Sequence, residues 1–171
     1  MSTVHLILQG KGGVGKSVIA ILLTQYLRDK GLPVTCFDAD PVNSSLAAFP
    51  GLEVTKVDLI ETTEKGRRIN PRRFDDLVEK IAGHPAQSHV IVDTGSSAFV
   101  ALVHYLVSND AMEVLEKSGQ ELVVHTVVTG GQALLDISER RCPISRTIGS
   151  RAFRDLAQSV LGTGCSGRQD I

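Results

Sequence analysis

Eight consecutive residues, Gly10-Lys11-Gly12-Gly13-Val14-Gly15-Lys16-Ser17, constrain this chain more than any other stretch. They satisfy the pattern G-x-x-x-x-G-K-[ST] at every fixed position. The apolar run at residues 4–8 reads as a buried parallel strand, and the run at residues 18–27 reads as a buried helix. Strand, glycine-rich loop and helix is the order in which backbone N–H groups and a helix N-terminus converge on a phosphate. In that arrangement Lys16 reaches the β- and γ-phosphates and the Ser17 hydroxyl binds Mg²⁺. A glycine-rich turn that binds nothing has no need of every fixed position and both flanks.

Two further acidic segments follow in the order that phosphate chemistry requires. Residues 34–37 read as the second strand and lead into Asp38-Ala39-Asp40-Pro41. Carboxylates at the C-terminal edge of a strand lie where open α/β sheets bind ligands. They can order the waters around Mg²⁺ or position an attacking water. Asp-x-Asp-Pro alone would be an ordinary Asx turn, but behind a complete phosphate loop the ligand-edge reading is the stronger. The run His89-Val90-Ile91-Val92 then delivers Asp93, in Asp93-Thr94-Gly95, to the same edge, where it can hold Mg²⁺ through water. The fold class that follows is α/β, a three-layer α/β/α arrangement on a mostly parallel sheet.

Between these segments, residues 52–57 alternate and read as an edge strand, whereas residues 61–68 are polar and read as a surface loop. Asn70-Pro71 opens a helix, with Asn as N-cap and Pro at the first helical position, and Phe74, Leu77, Val78 and Ile81 form its core stripe. Ser96 and Ser97 are candidate caps for a helix over 98–107; a strand is expected at 121–128 and a helix at 132–137. Arg67, Arg68, Arg72 and Arg73 form a basic cluster, read as a solvated face, with contact to DNA or a protein partner as the alternative.

The 171 residues suit one domain with a sizeable core, and the formal net charge of −1 gives no bulk attraction to nucleic acid. Cys36, Cys142 and Cys165 lack metal-ligand spacing and read as reduced cytoplasmic thiols. The five histidines lack ligand spacing too and read as ordinary core or surface residues. There is no G-x-S-x-G elbow for a nucleophilic hydrolase. Lys11 and Lys16 interrupt the N-terminal apolar stretch, so it does not resemble a signal peptide, and no run approaches a membrane-spanning length.

The second lysine, Lys11, makes the loop more specific. Gly-Lys-Gly-Gly-Val-Gly-Lys-Ser resembles the deviant Walker A loop of the partition and septum-site ATPases, the iron-protein and arsenite-pump relatives included. The resemblance implies Mg-ATP as cofactor and an ATP-dependent homodimer in which Lys11 reaches the partner's nucleotide. It also implies Lys11, Lys16 and Asp40 as catalytic residues, with Asp40 positioning the attacking water. Ser17, Asp38 and Asp93 would form the metal group, Asp38 acting on the Mg²⁺ shell or on its own loop, and Gly95 would lie where the backbone senses the γ-phosphate. Val42 departs from the glutamine that this family often carries there. Within the family, Gln9 through Ser17, Asp40-Pro41-Val42-Asn43, His104-Tyr105-Leu106 and residues 125–136 resemble conjugal transfer proteins of broad-host-range plasmids, over about residues 3–137. That likeness implies a partner in the transfer apparatus.

After Ile137 the character changes. Residues 138–171 hold six Arg and no Lys, against five Arg and seven Lys in residues 1–137. The apolar strand expected next does not appear, and the segment that grips the adenine base in relatives is missing. The domain reading is therefore an incomplete P-loop nucleotide-binding domain at 1–137 and an atypical tail at 138–171, arising from truncation or a shifted reading frame. A genuinely shortened member is one alternative. Another is a peripheral membrane tag built on Phe153, Leu156, Ala157, Val160 and Leu161. The functional expectation is a P-loop ATPase supporting plasmid transfer. Its alternatives are a nucleotide-dependent switch with negligible hydrolysis and a partition-type DNA-binding ATPase.

Overall fold

The computed structural model describes residues 1–64, 66–127 and 145–147. The expected helix at 132–137, nearly all of the tail, and Cys142 and Cys165 lie outside these residues. The first strand, β1 (Ser2–Ile7), precedes the phosphate loop and helix α1 (Lys16–Asp29). Strand β2 (Val34–Ala39) and the short β3 (Val54–Lys56) come next, then the pair β4 (Ile60–Thr63) and β5 (Gly66–Ile69). Helix α2 (Arg73–Ala82), strand β6 (His89–Thr94), helices α3 (Ser96–Ser108) and α4 (Ala111–Lys117), strand β7 (Gln120–His125) and strand β8 (Ser145–Thr147) complete the order.

Six strands form one sheet in the order β3-β2-β6-β1-β7-β8. The first five are parallel and β8 runs antiparallel to β7. The strand that leads into the phosphate loop is thus central, flanked by β6 and β7. Its neighbour β6 is buried on both faces: Val90, Ile91 and Val92 are all inaccessible, as expected where helices cover both sides of a parallel sheet. On one face Ile7, Cys36 and Ile91 pack with Ala20 and Leu27 of α1. On the other Val4, Leu6, Val90, Val92, Leu122 and Val124 pack with Phe74, Leu77 and Ile81 of α2, with Leu102 and Leu106 of α3, and with Met112 and Leu115 of α4. This is the three-layer α/β/α architecture expected from the sequence.

The edge strand appears as β3, paired in parallel with β2. The stretch read as a surface loop is instead an antiparallel hairpin, with Glu61 opposite Arg68 and Thr63 opposite Gly66. Gly66 makes the turn at φ 111°, a conformation that strains any residue with a Cβ. The Thr63 hydroxyl donates to the Gly66 carbonyl at 3.0 Å. The side chains of β5 are largely exposed, so its composition carries no apolar alternation to reveal it. Arg67, Arg68, Arg72 and Arg73 all remain on the surface. The regular part of α2 starts at Arg73, two residues after Pro71, and the Asn70 side chain caps the turn that leads in, accepting from the Arg72 N–H at 3.0 Å. Ser96 and Ser97 do not cap α3: Gly95 takes the cap position, and no side chain bonds the first turn.

Three histidines form a chain across the central strands. His5 Nδ1 lies 3.0 Å from His125 Nε2, and His5 Nε2 lies 3.1 Å from His89 Nδ1. Burial, then the charges of His125 and His89, push the His5 pKa down from 6.5 to about 4. A neutral imidazole has one N–H, so His5 donates to one neighbour and accepts from the other. The unfolded chain takes up the proton near pH 6.5, the folded one only near 4, so this contribution to stability is present above 6.5 and lost as pH falls through that window. Urea unfolding between pH 7 and 4 should therefore show a falling midpoint, worth on the order of 3 kcal/mol from this group. In His5→Leu that fall should shrink, the remainder coming from His84 and His125, whose pKa values burial also lowers.

Candidate functional site

The site is assembled where β1, β2 and β6 end. β1 cannot drift, because hydroxyls and amides of its neighbours hold its exit. The Thr94 hydroxyl donates to the Ile7 carbonyl at 2.7 Å, and the Thr126 hydroxyl to the Leu8 carbonyl at 2.8 Å. The Leu8 N–H donates to the His125 carbonyl at 2.9 Å, and the Gln9 side-chain amide to the Val127 carbonyl at 3.1 Å. From this anchored point the loop turns outward. Gly13 and Gly15 have φ of 72° and 96° with open space where a Cβ would be. Gly15 then caps α1 without any side chain bonding the first turn. Amides with no side-chain acceptor at the positive end of a 14-residue helix form an anion seat.

The two lysines of the loop differ sharply. Lys16 is buried, 8% exposed, and its Nζ donates to the Lys11 carbonyl at 3.0 Å, so its charge is folded back over the loop. Lys11 is exposed. The first turn of α3 supports the loop from beneath. A Cβ on Gly10 would meet Phe99 Cδ1 at 3.1 Å, and one on Gly12 would meet Ser96 Oγ at 3.4 Å.

The three aspartates have distinct environments. Asp38 and Asp93 are register partners on neighbouring strands, each 1% exposed. Asp38 accepts the Asp40 N–H at 3.0 Å on Oδ1 and the Ala47 N–H at 2.9 Å on Oδ2, so it braces the loop that follows β2. Burial nevertheless raises its pKa, against those bonds. Asp40 accepts the N–H groups of Val42 and Asn43 at 2.9 and 3.0 Å, both on Oδ1. Its carboxyl group also rests on Gly95.

Asp93 is the exception. Neither of its carboxylate oxygens has a hydrogen-bond partner. Burial above all, with the charges of Asp38 and Asp40, raises its pKa to about 6 against the pull of Ser17 and Lys16. A buried, unpaired carboxylate is costly unless something neutralises it. Mg²⁺ fits: it keeps several waters and uses one or two protein oxygens together with phosphate oxygens. No cluster of three His, Cys, Asp or Glu able to hold a metal occurs among the described residues.

The residues expected to bind phosphate and metal thus lie at one sheet edge: the loop from Gly10 to Ser17, Asp38, Asp40 and Asp93. Not foreseen were Thr94, Thr126 and Phe99. The position of Thr94 beside Asp93 offered a clue; nothing local marked Phe99. Asp93→Asn should remove the unpaired charge and raise the thermal midpoint of the ligand-free protein by about 2–8 °C. The same change should abolish any strengthening of nucleotide binding by Mg²⁺, as read by calorimetry with and without the ion.

The sequence model of the CbiA family, described as the CobQ/CobB/MinD/ParA nucleotide binding domain, matches residues 5–157. Protein TraL of Escherichia coli is 50% identical over 136 residues, which make up 80% of this chain and 54% of that protein. The iron-sulfur cluster carrier protein of Clostridium perfringens is 33% identical over 63 residues, 37% of this chain and 22% of its own. Among solved structures, cobyrinic acid a,c-diamide synthase from Mycobacterium smegmatis with bound ATP analog and magnesium superposes at a TM-score of 0.47 with 17% identity, covering 99% of this chain and 98% of that one. The chain spans about half the length of TraL. It belongs to the CobQ/CobB/MinD/ParA nucleotide-binding family.

Proposed function

We propose that this member of the CobQ/CobB/MinD/ParA family binds and hydrolyses Mg-ATP as a homodimer in support of plasmid conjugal transfer. The observation that carries the reading is the unpaired Asp93 carboxylate, buried directly beside the phosphate loop. The likeness to TraL over 80% of the chain supports the transfer role and a partner in the transfer apparatus.

In this reading the loop amides and the N-terminus of α1 cradle the phosphates, and Lys16 swings from the Lys11 carbonyl onto the β- and γ-oxygens. Ser17 and Asp93 would hold Mg²⁺, with Asp38 bracing the loop that follows β2. The bound ion would offset charge on the phosphate oxygens. Asp40 orients a water against the γ-phosphate. Lys11, exposed on the loop, reaches across to the second protomer's nucleotide.

The test is calorimetric binding of ATP, ADP and GTP with Mg²⁺, run beside phosphate release. Lys16→Ala should weaken ATP binding at least tenfold, because it removes the buried cation of the cradle. Lys11→Ala should leave binding within about threefold and abolish turnover, since its role is in trans. Binding without phosphate release in the wild type would instead make the protein a nucleotide-dependent switch. Unchanged turnover in Lys11→Ala would refute the trans role.

A further inference from the structure

We infer that Gly95 is a positioning residue for Asp40, seating its carboxyl group on a bare Cα, so that the loop after β2 and the turn after β6 take up their places together. The inference rests on the water-orienting role proposed above for Asp40, and it concerns a different residue.

Gly95 is buried and caps α3 at φ −69° and ψ 151°, extended backbone that any residue adopts. Conformation therefore does not call for glycine at this position; space does. A Cβ built there would lie 2.9 Å from Asp40 Oδ2 and closer still to Oδ1 and Cγ. No other glycine among the described residues meets a neighbour so closely. Nor can the obstacle move aside freely. Asp40 Oδ1 holds the N–H groups of Val42 and Asn43, and the Asp40 N–H is itself held by Asp38. Shifting the carboxyl group to admit a methyl would break the two bonds that shape residues 40–43. The seat also lies at the positive end of α3, a 13-residue helix with no side-chain cap, where a carboxylate is favoured. The same first turn carries Ser96 and Phe99, against which the phosphate loop rests. One turn of helix thus supports both the loop that holds phosphate and the aspartate proposed to orient water.

The experiment is a double-mutant cycle on the full chain with Gly95→Ala, Asp40→Ala and the two combined. In thermal unfolding, Gly95→Ala should lower the midpoint by several degrees in the wild-type background and by less than about 1 °C in the Asp40→Ala background, because the clash is gone. In phosphate release, Gly95→Ala should lower kcat on the order of tenfold or more, with KM within about threefold, as expected from misplacing a positioned group. The double variant should be no slower than Asp40→Ala. Equal destabilisation by Gly95→Ala in both backgrounds overturns the inference, and so does a full kcat in Gly95→Ala. Should the wild type release no phosphate, the proposed hydrolysis falls, while the unfolding cycle still decides whether the two positions are coupled. If Gly95→Ala does not fold, a folded double variant supports the seat and an unfolded one sinks it.

Discussion

A negative charge buried without a partner is the constraint around which this fold is arranged. Asp93 sits at the end of β6 with both oxygens unsatisfied, 1% exposed, at the centre of the sheet. Its neighbours act on that charge in opposite directions. Lys16 and Ser17 pull its pKa down, and Asp38 and Asp40 push it up. Among the aspartates at this edge only Asp93 is left unpaired: Asp38 and Asp40 both accept backbone N–H groups. A stability optimum would replace Asp93 with a neutral side chain; a site that takes a cation and a phosphate would not.

Around that charge, position is enforced by small contacts more than by large apolar ones. Two threonine hydroxyls hold consecutive carbonyls of the β1 exit from either side. Three glycines, Gly10, Gly12 and Gly95, bring backbone close to Phe99, Ser96 and Asp40. Each contact is worth roughly 1 kcal/mol at most, yet together they leave the phosphate loop few ways to shift. The apolar layers on both faces supply the stability that this precision draws upon.

How much of this could be read from the chain depended on whether the signal was local. The phosphate loop, β2 with its two acids, and β6 with Asp93 announce themselves because pattern and chemistry lie within a few consecutive residues. The three-layer architecture followed from strand and helix alternation. The hairpin β4–β5 was missed because the side chains of β5 are nearly all exposed, so no alternation marks its strands. The capping role expected of Ser96 and Ser97 went to Gly95, whose value lies in a contact with a residue 55 positions earlier. The histidines read as ordinary because their spacing in sequence is irregular, yet register sets His5 between His89 and His125. For the cap and the histidines the deciding neighbour lies far away along the chain, whereas the hairpin is local and hidden only by its exposed side chains.

That separation bears on the order in which the molecule takes shape. The phosphate loop is synthesised before β6 and β7, and its anchoring strand is central. Yet β1 pairs only with β6 and β7, beginning at His89 and Gln120. The bonds that hold its exit reach to His125, Thr126 and Val127. Until those residues have left the ribosome, the loop has no walls, and its glycines are simply the most mobile part of a nascent chain. Closing contacts over some 118 residues also places this protein among the slower-folding topologies. The loop, made before the strands that wall it, thus becomes competent only after them, so a chain interrupted short of β7 would carry a complete phosphate-binding sequence without a phosphate-binding site.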